Sequence, residues 1–444
     1  MLESFEIRNF KSFARARLQL RPLTVLIGAN ASGKTNLLEG LQLLSWMAEG
    51  RQLGQLLSAI RDQELSLRGT LPELTWDESL LQVSFACGVR LTEPPLDGQL
   101  LTLELCLALD EPLGPRVHAE KLEIHDDSRT GVTLYDAIPG AQRHALSVAN
   151  GKLGHATHDA AISASTLQPV FTQLSADPKF RSPRSIFDAP VPFDASVPEA
   201  CRELGEELRE ILVLDPVARQ MRGYSHELER NLRSDGANVS AVLYQLCKQG
   251  KADQVLEFVR ALPEQDITEV GFIETPRREV MVQLRESFGG RSRWREAAVL
   301  SDGTLRALAI AAAVLSVHPG STVVIEEVDN GVHPSRVGQI LERIRVEAEV
   351  RALRILVTTH NSAMLDAIPD PELGHVVACY RDPQHGDSRL VTLGELDRFP
   401  ELIARGPLGQ VVSHGLLERF LKQTPEQRRT AVGDWLRDLR DNTP

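Results

Sequence analysis

The stretch Gly28-Ala29-Asn30-Ala31-Ser32-Gly33-Lys34-Thr35 has the spacing G-x-x-x-x-G-K-T of a phosphate-binding loop. The apolar run Leu23–Ile27 precedes it and predicts a buried strand, and leucines at helical spacing follow it within 36–47. This context suits the motif, because its glycines let N–H groups converge on phosphate oxygens at a helix N-terminus. We expect Lys34 to reach the terminal phosphates and Thr35 to hold Mg²⁺. The predicted nucleotide contacts of the loop are Asn30, Ser32, Gly33, Lys34, Thr35 and Asn36.

The length and composition of the chain predict two or three structural units. Its 444 residues exceed one typical domain, and 42% of them are apolar, enough for sizeable cores. The net charge of −12 argues against a uniformly basic nucleic-acid surface, although a local basic patch remains compatible with it. Five scattered cysteines without a C-x-x-C pair indicate reduced thiols. No apolar run is long enough to span a bilayer, so we expect a cytoplasmic chain without membrane contact.

Three further candidate residues follow strands in the last third of the chain. The apolar strand 322–325 ends in Glu326 and Glu327. Glu326 would bind Mg²⁺, and Glu327 would orient and deprotonate the attacking water. A second apolar strand ends just before His360, which is placed to contact the γ-phosphate. The plainer alternatives are surface acids after a strand and a structural histidine.

Ser301 and Gly303 lie at the start of a helix predicted over 304–317. A hydroxyl group and free N–H groups at a helix N-terminus can bind an anion. An ordinary N-cap is the alternative interpretation of this stretch. Its position about twenty residues before the acidic strand favours the anion site.

The changing pattern along the chain predicts an α/β fold with a mixed sheet flanked by helices, a β-meander subdomain and a helical insertion. The predicted units are a core N-terminal lobe (1–80), a β-rich subdomain (81–150), an irregular and helical insertion (151–265), a core C-terminal lobe (266–380) and a tail with helices (381–444). Other predicted elements are helices over 51–68, 224–232 and 428–439 and a strand over 294–300.

The order of these motifs resembles that of ABC-type ATPases of the SMC/RecF-like class. It is more similar still to predicted bacterial AAA-family ATPases related to the OLD (overcoming lysogenization defect) ATPase domain. The resemblance covers roughly 1–90 and 265–380 and implies a P-loop ABC-type core. The matching motifs are the family's opening stretch (7–13, with Lys11), the Walker A loop (28–35), the signature (300–304), the Walker B strand (323–327), the D-loop (329–334, with Asp329) and the His switch (358–361).

The resemblance implies a homodimer, or a higher oligomer, with each ATP between two chains. One chain would supply Lys34, Thr35, Glu326, Glu327 and His360. The other chain would supply Ser301 and Gly303. Lys11 and Asp329 are further implied nucleotide contacts. Two residues depart from the family pattern, Asp302 within the signature L-S-D-G-T and Glu326 in place of the usual aspartate. The glutamine-loop residue stays open among Gln173, Gln52 and Gln55.

Three functions remain to be compared. The first is a Mg²⁺-dependent ATPase that acts as a sensor or regulator for a separately encoded effector protein in bacterial anti-phage defence. The second is a RecF-like ATPase that binds double-stranded DNA in repair or recombination. The third, a non-catalytic nucleotide-gated scaffold, conflicts with the intact Glu327 and His360. No intrinsic nuclease is expected, because 381–444 hold no paired Asp-x-Asp motif.

Two basic stretches are candidates for contact with DNA. The first is made of Arg8, Lys11, Arg15, Arg17 and Arg21, and the second of Arg291, Arg293 and Arg295. The second set alternates, so on a strand its side chains would share one face and could meet phosphates. A solvated strand face is the alternative for both stretches.

Overall fold

The structure is a computed structural model that describes residues 1–422, apart from 63, 93, 95, 111–112, 126–130, 141–144, 151–161, 177–195, 261–265, 333, 397–398 and 405. The helix predicted over 428–439 lies outside the described residues. Within the described part, no helix is both long enough and apolar enough to cross a membrane.

The strands are β1 (Leu2–Phe10), β2 (Phe13–Gln19), β3 (Leu23–Ile27), β4 (Gln82–Arg90), β5 (Leu100–Ala108), β6 (Arg116–His125), β7 (Gly131–Pro139), β8 (Ala145–Asn150), β9 (Ile162–Ser165), β10 (Leu212–Leu214), β11 (Ser225–His226), β12 (Asp266–Glu274), β13 (Glu279–Phe288), β14 (Arg291–Glu296), β15 (Thr322–Ile325), β16 (Arg354–Thr359), β17 (Val377–Arg381) and β18 (Ser388–Thr392).

The α-helices are α1 (Lys34–Ala48), α2 (Leu56–Arg61), α3 (Val170–Ala176), α4 (Ser196–Arg209), α5 (Val239–Lys248), α6 (Ala252–Arg260), α7 (Asp302–Ser316), α8 (Pro334–Val350), α9 (Ser362–Asp366), α10 (Asp370–Leu373), α11 (Phe399–Ile403), α12 (Leu408–Ser413) and α13 (Leu416–Lys422).

A six-stranded sheet, in the order β10-β15-β16-β3-β17-β18, positions the candidate site. All its neighbouring strands run parallel except β17 and β18, which form an antiparallel hairpin. The strands β3, β15 and β16 are almost fully buried, which explains their continuous apolar runs. Because parallel strands end at the same edge, the phosphate loop, the two acids and His360 all follow strands at one edge of this sheet.

An eight-stranded antiparallel sheet, in the order β2-β1-β4-β5-β6-β7-β8-β9, forms the second layer. It confirms the β-meander predicted from the sequence. The sheet also includes β1 and β2, because β1 pairs with both β2 and β4. Helix α1 packs closely on it, since a Cβ atom placed on Gly40 would lie 3.3 Å from the Phe5 ring. The proposed division of the chain at residue 80 therefore crosses one continuous sheet and stays a prediction.

A third, smaller sheet is centred on β13. This strand pairs with β12 along one edge and with β11 and β14 along the other. The strand predicted over 294–300 is wrong at its end, because β14 stops at Glu296 and a 3-10 turn, Ala297–Val299, leads to α7. The helix predicted over 224–232 is also wrong. Here Ser225 pairs with Val280, and this long-range strand pairing overrides the local helical pattern.

Of the helix predicted over 51–68, only α2 (Leu56–Arg61) is an α-helix in the structure. A tertiary hydrogen bond from the Leu53 amide to the Leu167 carbonyl (2.8 Å) fixes the chain ahead of it, and a 3-10 turn follows at Leu53–Gln55. The helix ends at Arg61, and the amides of Glu64 and Leu65 then both donate to the Ala59 carbonyl (2.9 and 3.2 Å), which is not the α-helical pattern. The residue pattern within 51–68 does not indicate the long-range contact with Leu167.

Candidate functional site

A cleft of about 800 Å³ lies at the edge of the six-stranded sheet where the phosphate loop and the acids meet. A volume of this order suits a nucleotide-sized ligand. Nine of the sequence-predicted site residues line the cleft: Lys11, Asn30, Ser32, Gly33, Lys34, Thr35, Asn36, Glu326 and Glu327. The lining also includes Ser12, Arg68, Gly69, Glu73, Trp76, Thr358 and Arg381.

The two glycines of the phosphate loop are required by close backbone approach. A Cβ atom on Gly28 would lie 2.4 Å from the carbonyl oxygen of Cys379, and one on Gly33 would lie 2.5 Å from Ser388 Oγ. Gly33 also has a φ of 116°, a conformation that side chains disfavour. The loop can therefore keep this path against the β17–β18 hairpin only with glycine at both positions.

The side chain of Lys34 folds back into its own loop. Its Nζ donates to the carbonyl oxygens of Gly28 (2.6 Å) and Ala29 (3.2 Å). Burial lowers the pKa of Lys34, while Cys379, Glu327 and Glu326 oppose that shift. A phosphate group would offer this ammonium a stronger charge-assisted partner than two neutral carbonyls do.

Three serines connect the loop to two other elements. Ser388 Oγ, at the start of β18, donates to the Ser32 carbonyl (2.6 Å) and is hydrogen-bonded to Ser12 Oγ (2.8 Å). Asn36 Nδ2 also donates to Ser12 Oγ (2.8 Å). Ser12 lies in the turn between β1 and β2, so this network fixes the loop against both large sheets.

The loop fits a bound phosphate on a second ground. Ser32 is buried, and its Oγ has no hydrogen-bond partner although the atom is shielded from solvent. A buried hydroxyl group without a partner carries a desolvation cost that a ligand oxygen at hydrogen-bond distance would relieve. The donor set therefore suits the triphosphate and Mg²⁺ of ATP, and Thr35 and Glu326 are the residues that would hold the metal.

Glu326 and Glu327 differ in their surroundings. Glu326 is partly buried, and its pKa rises to about 7 because of that burial and the nearby charges of Asp215, Glu39 and Glu327. Glu327 is half-exposed at the mouth of the cleft, with a left-handed φ of 45°. Its amide donates to Thr358 Oγ1 (3.0 Å), which holds this strained residue in place.

His360 lies beside Glu327 but outside the main cleft lining. Its Nδ1 is 3.9 Å from Glu327 Oε1, and it lines a neighbouring cavity of about 480 Å³ behind the phosphate loop. Both side chains are about half-exposed. The pair can therefore respond to a group that arrives from solvent at this edge.

Asp215 is a functional candidate that the sequence pattern missed. It follows β10, whose last residue Leu214 pairs with Ile325 just before Glu326. Burial raises the pKa of Asp215, and Glu327 adds to the effect while Arg306 opposes it. The strand before it has only three residues, too few for a periodic signal, so its position beside the acids appeared only in the fold.

Lys11 is tied to a buried acid rather than pointing freely into the cleft. Its Nζ makes a close ion pair with Glu39 and donates to the Arg68 carbonyl (2.6 Å). Arg68 Nε also donates to Glu39 Oε1 (2.7 Å). Both Lys11 and Glu39 are buried side chains, so this network forms one wall of the cleft. Glu39 was missed because it lies within the apolar pattern of α1.

The signature residues lie away from the cleft of their own chain. Ser301 caps α7 by accepting from the Thr304 amide (3.1 Å). Gly303 packs on the D-loop, since a Cβ atom there would lie 2.2 Å from the Gly331 carbonyl oxygen. Asp329 is buried with an unpartnered Oδ1, and it does not line the cleft.

The unusual acid of the signature has its own counter-ion. Asp302 Oδ1 accepts from Arg222 Nη2 at 2.6 Å. Arg222 also donates to the carbonyl oxygens of Leu300 (2.8 Å) and Ala298 (2.9 Å), so one guanidinium organises the whole turn before α7. Asp302 departs from the family signature, and its charge is neutralised by Arg222, a residue that no motif indicated.

Gln173, a candidate for the glutamine-loop residue, lies away from the cleft. Its amide nitrogen donates to the backbone of Ser165 (2.9 Å) and Gln168 (2.8 Å), and its amide oxygen accepts from the Ser165 amide. These contacts tie the segment before α3 to the helix. Neither Gln173 nor Gln52 nor Gln55 is among the residues that line the cleft.

Two family models match the chain. A model described as "AAA ATPase domain" matches 1–52, and one described as "AAA domain, putative AbiEii toxin, Type IV TA system" matches 208–366. The DNA replication and repair protein RecF of Gloeobacter violaceus is 44% identical over 69 residues. That segment is 15% of this chain and only 16% of RecF.

Solved structures with a related backbone include SMC head domains. An SmcHead bound to the C-winged helix domain of ScpA is 12% identical with a TM-score of 0.49, covering 88% of this chain and 97% of that one. An Smc head domain bound to the C-terminal domain of ScpA, from Pyrococcus furiosus, is 11% identical with a TM-score of 0.40, covering 91% and 99%.

The two matched family models and the segment similar to RecF, together with the order of the motifs along the sheet edge, support an ATPase of the SMC/RecF-like class. Both models are described as AAA domains, and this description implies ATP hydrolysis.

Proposed function

We propose that this chain hydrolyses ATP with Mg²⁺ in the cleft described above. The observation that carries the proposal is the convergence of Lys34, Thr35, Glu326 and Glu327 on one cleft at one edge of the sheet. Glu327 is the general base, because it is exposed at the cleft mouth and next to His360. Bound Mg²⁺ would neutralise phosphate charge, and Thr35 and Glu326 would hold it.

We further propose that two chains associate around ATP. Ser301 is exposed at the N-terminus of α7, away from its own cleft, and so is available to the nucleotide of a second chain. Next to it, Val299 is 65% exposed, which is unusual for a large apolar side chain and suits an interface. Hydrolysis would then let the pair of chains separate.

In this proposal the cycle of ATP binding and hydrolysis regulates a separately encoded effector protein. The proposed setting is anti-phage defence. The description of the family model over 208–366, which names a putative AbiEii toxin, supports this setting. All five cysteines are free thiols, which agrees with the cytoplasmic location we propose. The closer relation to OLD-type ATPases remains part of this proposal.

A RecF-like role at DNA is the second candidate. Every residue of β14 is exposed, and Arg291, Arg293 and Arg295 share one face of this outer strand. One of these charges is partly neutralised, because Arg295 pairs with Glu286 at 3.4 Å. Reversing the three arginines should weaken DNA binding and flatten its salt dependence, whereas reversing Arg419 on α13 should not. Equal binding by both variants would remove β14 from consideration.

The deciding experiment measures ATP turnover by the purified chain with and without double-stranded DNA. K34A is the control, and it should abolish turnover. Strong stimulation by DNA favours the RecF-like role, and turnover indifferent to DNA favours a regulator with a protein input. In parallel, E327Q should accumulate as an ATP-bound dimer by light scattering. A monomer at high protein and ATP concentrations contradicts the sandwich.

A further inference from the structure

One wall of the cleft contains an aromatic side chain that neither the motifs nor the comparisons assign. The cleft lining beyond the phosphate loop and the acids includes Arg68, Gly69, Glu73, Trp76 and Arg381. The indole of Trp76 is half-buried, and the Arg381 guanidinium lies 5.9 Å from its ring centroid. The arginine restricts the ring and adds positive charge to that wall.

The segment that carries Trp76 is fixed by backbone contacts to β1. The Trp76 amide donates to the Asn9 carbonyl (3.3 Å), and the Lys11 amide donates to the Leu74 carbonyl (2.9 Å). Thr75 between them is buried and bridges to Phe10. The indole is therefore presented to the cleft by a rigid backbone.

The loop before it is closed by its own polar side chains. Glu73 Oε2 accepts from the Thr70 amide (2.7 Å) and from Thr70 Oγ1 (2.9 Å). Gly69 turns the chain with a φ of 103°, and a Cβ atom there would lie 3.2 Å from the Glu73 side chain. A preformed aromatic wall loses little entropy when a flat ligand stacks on it.

We propose that Trp76 is the stacking surface for the nucleobase of the bound nucleoside triphosphate. The inference rests on the proposed ATP site, because the same cleft holds the phosphate loop. An indole ring stacks on the face of any base, and nearby arginines strengthen such contacts. Trp76 thus supplies affinity for a nucleotide over bare polyphosphate without selecting adenine over guanine.

The test compares binding of a non-hydrolysable ATP analogue, the matching GTP analogue and inorganic tripolyphosphate by calorimetry. W76A should weaken both analogues by about tenfold or more and leave tripolyphosphate within about twofold. W76F should retain most of the affinity. W294A is the control, since Trp294 likewise has an arginine 6.0 Å from its ring but is more exposed and lies on β14.

Fluorescence gives a second readout that does not depend on the folding of W76A. The ATP analogue, but not tripolyphosphate, should quench the tryptophan emission of the wild-type chain. That quenching should vanish in W76F and persist in W294F. Unchanged analogue binding in W76A, an equal loss for tripolyphosphate, or quenching that persists in W76F overturns the role of Trp76. Failure of the wild-type chain to bind either probe would instead refute the proposed ATP site.

Discussion

Replacing Glu326 by glutamine should stabilise the nucleotide-free protein while abolishing its turnover. The pKa of Glu326 rises from 4.5 to about 7, first because of burial and then because of three neighbouring acids. Between those two values the folded chain holds a proton that the unfolded chain has lost. The free energy of unfolding of the wild type therefore falls as pH rises through this window, and it levels off above about pH 7.

The size of the effect follows from the same two pKa values. Each pKa step of one corresponds to about 1.36 kcal/mol, so ionised Glu326 costs the folded chain about 3 kcal/mol at pH 8. At pH 5 the cost is below about 1 kcal/mol, so the advantage of E326Q grows by roughly 2 to 3 kcal/mol between the two pH values. With about 2.1 cal/mol/K per residue, this is about 3 °C in Tm for the whole chain.

The assay is thermal unfolding of wild type, E326Q and E327Q at pH 5 and pH 8 without nucleotide or Mg²⁺. E327Q is the comparison variant, because Glu327 is 49% exposed and contributes least of the three acids to the raised pKa of Glu326, so its gap to wild type should change much less with pH. Adding Mg²⁺ and ATP at pH 8 should raise the Tm of the wild type but not that of E326Q. The electrostatic reasoning is refuted if the gap between E326Q and wild type does not change with pH, or if E326Q is the less stable protein at pH 8.

Three other substitutions test separate contacts. G33A should destabilise the protein by about 1 to 3 kcal/mol and abolish ATP binding, because of the φ of 116° and the clash with Ser388; unchanged binding by calorimetry contradicts the close approach. S388A should cost about 1 to 2 kcal/mol in chemical denaturation by removing two hydrogen bonds, with a wild-type denaturation midpoint as the contrary result. R222A should lower ATP-dependent dimerisation about tenfold or more by removing the counter-ion of Asp302, and R222A/D302N should restore it. Light scattering that shows no rescue argues against charge as the cause.

Much of the central sheet could be predicted from sequence because its signals are local. Leu23–Ile27, Thr322–Ile325 and Arg354–Thr359 are apolar runs of strand length, and each is followed by polar residues. Parallel strands buried on both faces produce this pattern with little ambiguity. The order of motifs along the chain then indicates which strand ends share an edge, and the structure confirms the predicted α/β fold with a mixed sheet and helices.

The parts that could not be predicted depend on contacts between distant segments. Glu39 was hidden in the apolar face of α1, and only its ion pairs with Lys11 and Arg68 explain a buried acid there. Arg222 shows no motif of its own, since its role comes from the backbone of the turn before α7. Asp215 follows a strand too short to be recognised. In each case the side chain is ordinary in sequence, and its partner is supplied by the fold.

The phosphate loop illustrates why such contacts matter for function. Ser32 is held from one side by Ser388, which is 356 positions away in the chain, and through it by Ser12 in the turn of the other sheet. Any movement of the loop on binding a triphosphate must therefore be shared by the β17–β18 hairpin and by the turn between β1 and β2. That turn begins at Lys11, whose left-handed φ of 50° is maintained by its buried pair with Glu39. The phosphate loop is thus joined by hydrogen bonds to the edge of the antiparallel sheet, so a shift of the loop on nucleotide binding would be felt at the turn between β1 and β2.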